Sequence, residues 1–148
     1  MQTDALYVVL ADDDEDDRAF FKRAIDEVRV KTILNTVNDG QQLMDHLLRK
    51  ENSIPDVIFL DLNMPRKGGI ECLEEIRNNN QLKDISVAIY STSESDEDIE
   101  TAFLKGANIY IKKPNDYQNL KKVIGEVLSI NWQYNTSRLN RENFLLVI

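Results

Sequence analysis

Asp61 stands at the end of a four-residue apolar run, Val57-Ile58-Phe59-Leu60, and is followed by Leu62-Asn63-Met64-Pro65. A continuous apolar run that short, with β-branched members and Pro55 just before it, reads as a strand buried on both faces. A carboxylate where such a strand stops lies on the carboxyl edge of an open parallel sheet, where ligands bind. The same aspartate also suits an ordinary turn, and on this stretch alone both readings stand. Three other run ends carry useful groups. Leu6 to Ala11 ends in Asp12-Asp13, Val87 to Tyr90 ends in Ser91-Thr92, and Ile109 to Lys112 ends in Lys113-Pro114. Phosphoryl transfer to a carboxylate needs an oxygen nucleophile, a divalent cation and fixed positive donors. A carboxylate, an acidic pair, a hydroxyl and an ammonium can together supply those parts.

The rest of the chain must bring these ends together. Strands are expected over residues 6–11, 32–37, 56–60, 85–90 and 108–112. Between them, apolar residues recur at helical spacing. Phe20, Phe21, Ala24, Ile25 and Val28 follow the first strand, with Asp14 as a cap and Glu15, Asp16 and Asp17 in the first turn, where acids suit the positive helix end. Leu43, Met44, Leu47 and Leu48 follow the Asn38-Asp39-Gly40 turn. Ile70, Leu73 and Ile76 follow Gly68-Gly69 and stop at Asn78-Asn79-Asn80. Ser95 with Asp98 forms a start resembling a capping box, and Gly106 suits the C-terminal cap. Leu120, Val123, Ile124 and Val127 define the last helix. Five strands alternating with five helices imply an α/β sheet covered on both faces.

These pieces, in this order and spacing, resemble the receiver domain of two-component response regulators. The resemblance covers residues 5–129, and residues 130–148 form a C-terminal extension too short for a DNA-binding output domain. It implies a doubly wound, flavodoxin-like five-stranded parallel sheet of order 2-1-3-4-5 with five helices. It also implies a single-domain regulator of a phosphorelay, phosphorylated on Asp61 by a histidine kinase or phosphotransfer protein in a magnesium-dependent step. By the family pattern Asp13 and Asp61 bind Mg2+ directly, Asp12 acts mostly through water, and Asn63 offers its backbone carbonyl. Lys113 is the fixed cation, aimed inward by a cis bond to Pro114. Ser91 is the switch hydroxyl, and Tyr110 the switch aromatic that turns inward when Ser91 moves. Thr92 stands where alanine is common and is expected to narrow access to Asp61. Ser93 and Asn63 tune dephosphorylation. Asp14 to Asp17 are left to capping and solubility. Within the family, the Leu62–Lys67 and Ser91–Ser93 stretches look most like stand-alone regulators associated with phytochrome-type sensor kinases. Many of these dimerise through the face of helix four, strand five and helix five. That face and the C-terminal tail are the two candidate homodimer contacts.

Other classes fit less well. An aspartyl-phosphate hydrolase wants an acid two residues after the nucleophile, and Asn63 cannot transfer a proton. A flavodoxin-like cofactor site wants a phosphate-binding loop after strand one, but six acids, Asp12 to Asp17, stand there and repel phosphate. A receiver-like scaffold that works without phosphorylation would not need the full Asp12, Asp13, Asp61, Ser91 and Lys113 set. A net charge of -8 argues against nucleic-acid and anionic membrane surfaces. Cys72 is the lone cysteine and reads as a small buried residue; His46 reads as a surface histidine. With no signal-like start and no apolar run of spanning length, the expected location is cytoplasmic. The chain ends in Phe144-Leu145-Leu146-Val147-Ile148. Such an ending is expected to dock, either on its own domain with Trp132 anchoring the turn, or on a second subunit.

Overall fold

The computed structural model describes residues 5–129 and 145–146. The order is β1 (Leu6–Ala11), α1 (Glu15–Asp26), β2 (Thr32–Val37), α2 (Gly40–Leu48), β3 (Val57–Leu60), α3 (Gly69–Arg77), β4 (Ser86–Ser91), α4 (Asp96–Leu104), β5 (Ile109–Lys112), α5 (Tyr117–Leu128) and β6 (Leu145–Leu146). The strands lie in one parallel sheet, β2-β1-β3-β4-β5-β6. The first five keep the expected order 2-1-3-4-5. The short sixth strand was not foreseen: Leu145 pairs with Tyr110 and Leu146 with Ile111. The anchoring role expected of Trp132 lies outside the described residues.

Strand alternation divides the core in two. Val9, Ala11, Ile58, Leu60, Val87, Ile89 and Tyr110 face the side covered by α2, α3 and α4. Val8, Leu10, Val57, Phe59, Ala88, Tyr90 and Ile111 face α1 and α5. Every residue of β3 and β4 is buried, as the uninterrupted Val57–Leu60 run requires of a central strand. The helices begin where short polar side chains satisfy their free amides. Asp14 accepts from the Asp17 amide at 3.0 Å, Asp39 from Gln42 at 2.8 Å and Asp116 from Asn119 at 2.9 Å. Ser95 accepts from the Asp98 amide at 3.2 Å, but the box is not closed, because the Asp98 carboxylate is engaged by Ser93 Oγ at 2.6 Å instead.

His46 is not a free surface residue. It is half-buried, with Nε2 2.6 Å from the Tyr7 hydroxyl. Burial, aided by Arg49, lowers its pKa. Cys72 is fully buried against the core, which pushes its thiol up to about 12. Among the described residues no helix is long and apolar enough to cross a membrane.

Candidate functional site

The register of the sheet assembles the site. Ala11 of β1 stands opposite Leu60 of β3, so Asp12 and Asp61 leave the sheet side by side. Backbone bonds continue the ladder past the strand ends: Asp12 N donates to Val37 O at 3.1 Å and Asp61 N to Ala11 O at 3.0 Å. Ser91 stands opposite Lys112, and Lys113 N donates to Ser91 O at 2.7 Å. Asp12, Asp61, Ser91 and Lys113 thus share the carboxyl edge. Chain crowding fixes the loop after Asp61. A Cβ at Gly69 would lie 2.3 Å from Asp61 O, so only glycine lets α3 begin there. Arg66 takes a left-handed conformation, φ 67°, in the tight turn closed by Lys67 N and Pro65 O at 2.7 Å.

Asp12 and Asp61 are buried and Asp13 is exposed. One carboxylate oxygen from each lies within 4.8 Å of the others, a spacing that fits a single hard cation. The donors are all oxygen. Asp12 Oδ2 is fully shielded from solvent and meets the Lys113 ammonium at 2.8 Å. An acceptor left in that condition suits a cation. Burial raises the Asp12 carboxyl against the pull of Lys113. Asp61 is pushed up to about 6, mainly by burial, with Lys113 pulling the other way and Asp12 and Asp13 adding to the rise. It is therefore ionised at neutral pH. Its Oδ1 accepts from the Asn63 amide at 3.3 Å. The Asn63 side chain is exposed.

Lys113 reaches inward across a trans bond to Pro114; no cis peptide occurs among the described residues. The expected cis bond is thus corrected. Trans is the favoured state of an X–Pro bond, and contacts to carboxylates suffice to draw the ammonium in. Nζ lies 2.8 Å from Asp12 Oδ2, 2.8 Å from Asp17 Oδ2 and 3.5 Å from Asp61 Oδ2. It also stands 5.2 Å from the centroid of the Tyr90 ring, an approach that favours a cation. Burial works against its charge, but its acidic partners outweigh burial and hold it well above the ordinary lysine range.

Ser91 is completely buried, and its Oγ accepts from the Ser93 amide at 3.1 Å. Tyr110 already lies inward and is completely buried, so the expected swing from the surface is not a change open to this state. Its hydroxyl donates to Ser93 O at 3.0 Å, and its ring packs in the α2–α3–α4 core. Thr92, expected to crowd Asp61, is an exposed loop residue.

Two contributors escaped the sequence reading. Asp17 was assigned to capping, yet its carboxylate binds Lys113. The signal was present: Asp17, Phe21, Ala24 and Val28 fall on one helical stripe, so Asp17 continues the buried face of α1 toward the sheet edge. Tyr90 was read only as part of a strand. Its place beside Lys113 depends on the pairing of β4 with β5, which no local pattern contains.

The receiver domain of response regulators matches residues 8–125, and the chain belongs to that family. Response regulator Rcp1 of Synechocystis sp. is 31% identical over 121 residues, spanning 79% of this chain and 82% of Rcp1. The probable methanogenesis regulatory protein FilR2 of Methanothrix harundinacea is 28% identical over 127 residues, 84% of this chain and 82% of FilR2. Among solved structures, the phosphorylated cyanobacterial phytochrome response regulator RcpA superposes with TM-score 0.80 and 30% identity, covering 88% of this chain and 96% of RcpA. The Mn2+-bound form of Rcp1 gives TM-score 0.78 and 26% identity, covering 87% and 96%. Receiver domains bind Mg2+ or Mn2+ in an acidic pocket and serve as phosphoacceptor switches for histidine kinases or phosphotransfer proteins.

Proposed function

We propose that this receiver accepts a phosphoryl group on Asp61 from a phosphohistidine and thereby changes a partner-binding surface. The arrangement of Asp61 carries the reading: a buried carboxylate, ionised at neutral pH, with an ammonium 3.5 Å away and oxygens of two further carboxylates within 4.8 Å. An Asp61 oxygen attacks phosphorus in line. The O–P bond forms as the P–N bond of the donor breaks, and the donor imidazole leaves with the bonding pair.

Asp12, Asp13 and Asp61, with the Asn63 carbonyl, would hold Mg2+, which supplies charge compensation for the phosphoryl oxygens. Lys113 supplies the second positive group. It can follow the charge from the carboxylate to a phosphoryl oxygen with little motion, and such a preplaced donor stabilises charge at small reorganisation cost. Ser91 Oγ, freed from the Ser93 amide, can donate to another phosphoryl oxygen. That exchange changes the β4–α4 loop, because Ser93 also binds Asp98 of α4 and Tyr110 of β5. The face of α4, β5 and α5 is where the altered surface would meet a partner or a second copy.

The reading is tested with acetyl phosphate and magnesium chloride, followed by intact mass. One phosphoryl addition is expected for the wild type and none for Asp61→Asn. An unmodified wild type, or equal labelling of both proteins, would overturn it.

A further inference from the structure

Lys113 has one ammonium and faces three carboxylates. Its hydrogen bond to Asp17 Oδ2 is 2.8 Å long, whereas that to Asp61 Oδ2 is stretched to 3.5 Å. Asp12 Oδ2 is also 2.8 Å away, so the ammonium is shared between Asp12 and Asp17. Of these two close partners, Asp17 is the one outside the Asp12–Asp13–Asp61 group. Asp17 is not engaged as a cap by its carboxylate; only its amide serves the Asp14 cap, at 3.0 Å. Its neighbour Asp16 is exposed.

We propose that Asp17 is a positioning residue, the holding partner that keeps Lys113 in place while a divalent cation occupies Asp12, Asp13 and Asp61. The proposal rests on the cation-assisted reading above. An ammonium and a divalent cation placed on the same carboxylate oxygens repel each other strongly in a half-buried site. Without Asp17, the Lys113 ammonium would have only Asp12 and Asp61 as partners, the two groups the cation needs. With Asp17, it has a carboxylate that the cation does not use. The same anchor keeps Nζ over Tyr90 and beside Asp61. A phosphoryl oxygen arriving on Asp61 then meets a donor already in place.

The test is a double-mutant cycle read by calorimetric titration of the full chain with magnesium chloride. Asp17→Asn is expected to weaken binding by roughly two- to five-fold, the range of a partly exposed ion pair. Asp17→Glu, which keeps the charge, should recover most of that loss. In a Lys113→Met background, Asp17→Asn should have no larger effect than Asp16→Asn, because the residue it positions is gone. Equal weakening in both backgrounds would overturn the proposal and make Asp17 one more charge in a diffuse field. So would an Asp17→Asn protein that binds like the wild type. Should Lys113→Met fail to fold, the ζ-ammonium resonance of Lys113 replaces the cycle: Asp17→Asn must shift it in magnesium-saturated protein, and an unshifted signal overturns the assignment. A wild type that binds no magnesium overturns both the cation-assisted reading and this proposal, whereas normal wild-type binding with a silent Asp17→Asn removes this proposal alone.

Discussion

The hydroxyl of Tyr110 donates to the backbone carbonyl of Ser93 at 3.0 Å. The Ser93 amide in turn donates to Ser91 Oγ at 3.1 Å, and Ser93 Oγ donates to Asp98 at 2.6 Å. One loop residue therefore ties the hydroxyl at the end of β4 to β5 and to the first turn of α4. Ser91→Ala removes the acceptor at the near end of this chain. It should leave phosphorylation of Asp61 possible while blunting the amide shifts that phosphorylation causes in β4, α4 and β5. A full wild-type shift pattern in the phosphorylated variant would show that the surface responds by another route. Tyr110→Phe removes the hydroxyl that reaches the Ser93 carbonyl and should cost about 1 kcal/mol in denaturant unfolding.

Asp61 makes stability depend on pH. Its folded value near 6 lies above the ordinary 3.8, mainly through burial. Below about pH 4 it is neutral whether folded or unfolded and contributes no penalty. Between about pH 4 and pH 6 the unfolded chain ionises while the folded protein keeps the proton, so stability falls across that window and levels off above it, at a penalty on the order of 2–3 kcal/mol without cation. Asp61→Asn should therefore raise the melting temperature of cation-free protein at pH 7 by roughly 5 °C, with the gain fading toward pH 4. A variant that melts below the wild type at pH 7 would contradict this sign.

Asp13 and Asp16 are both exposed acids in one run, but only Asp13 belongs to the three-carboxylate group. Asp13→Asn should weaken magnesium binding far more than Asp16→Asn. Equal effects in a titration would mean that the run acts through its summed field.

β6 covers the outer edge of β5, at Tyr110 and Ile111. An uncovered parallel edge exposes unpaired backbone groups. Deleting residues 145–148 should lower the melting temperature without changing the solution mass. A dimer that becomes a monomer on deletion would place the segment between subunits instead.

Much of this was legible in the residues because its causes are local. Val57 to Leu60 reads as a strand buried on both faces, and Asp14 as a helix cap, from neighbouring residues alone. The acids, hydroxyl and lysine at the four run ends became one site through a parallel sheet that aligns those ends. What could not be read depends on pairings across the chain. Lys113 lies closer to Asp12 and Asp17 than to Asp61 by less than an ångström, and the place of Asp17 follows from how α1 packs on the sheet. His46 found Tyr7 because Tyr7 faces the side of the sheet that α2 covers, and polarity alone placed it at the surface. The sixth strand depends on an edge of β5 that only the assembled sheet defines. The inward Tyr110 reflects the Ser93 carbonyl waiting for its hydroxyl, a partner set by the loop and not by strand alternation.

On the proposed function, Asp61 and no other acid of the cluster carries the phosphoryl group. Borohydride reduction of the phosphorylated wild type converts an acyl phosphate to an alcohol, so peptide mapping locates it directly. Homoserine is expected at position 61, with unchanged aspartate at Asp12, Asp13 and Asp17. Homoserine at any of those three, with Asp61 intact, would contradict the assignment to Asp61.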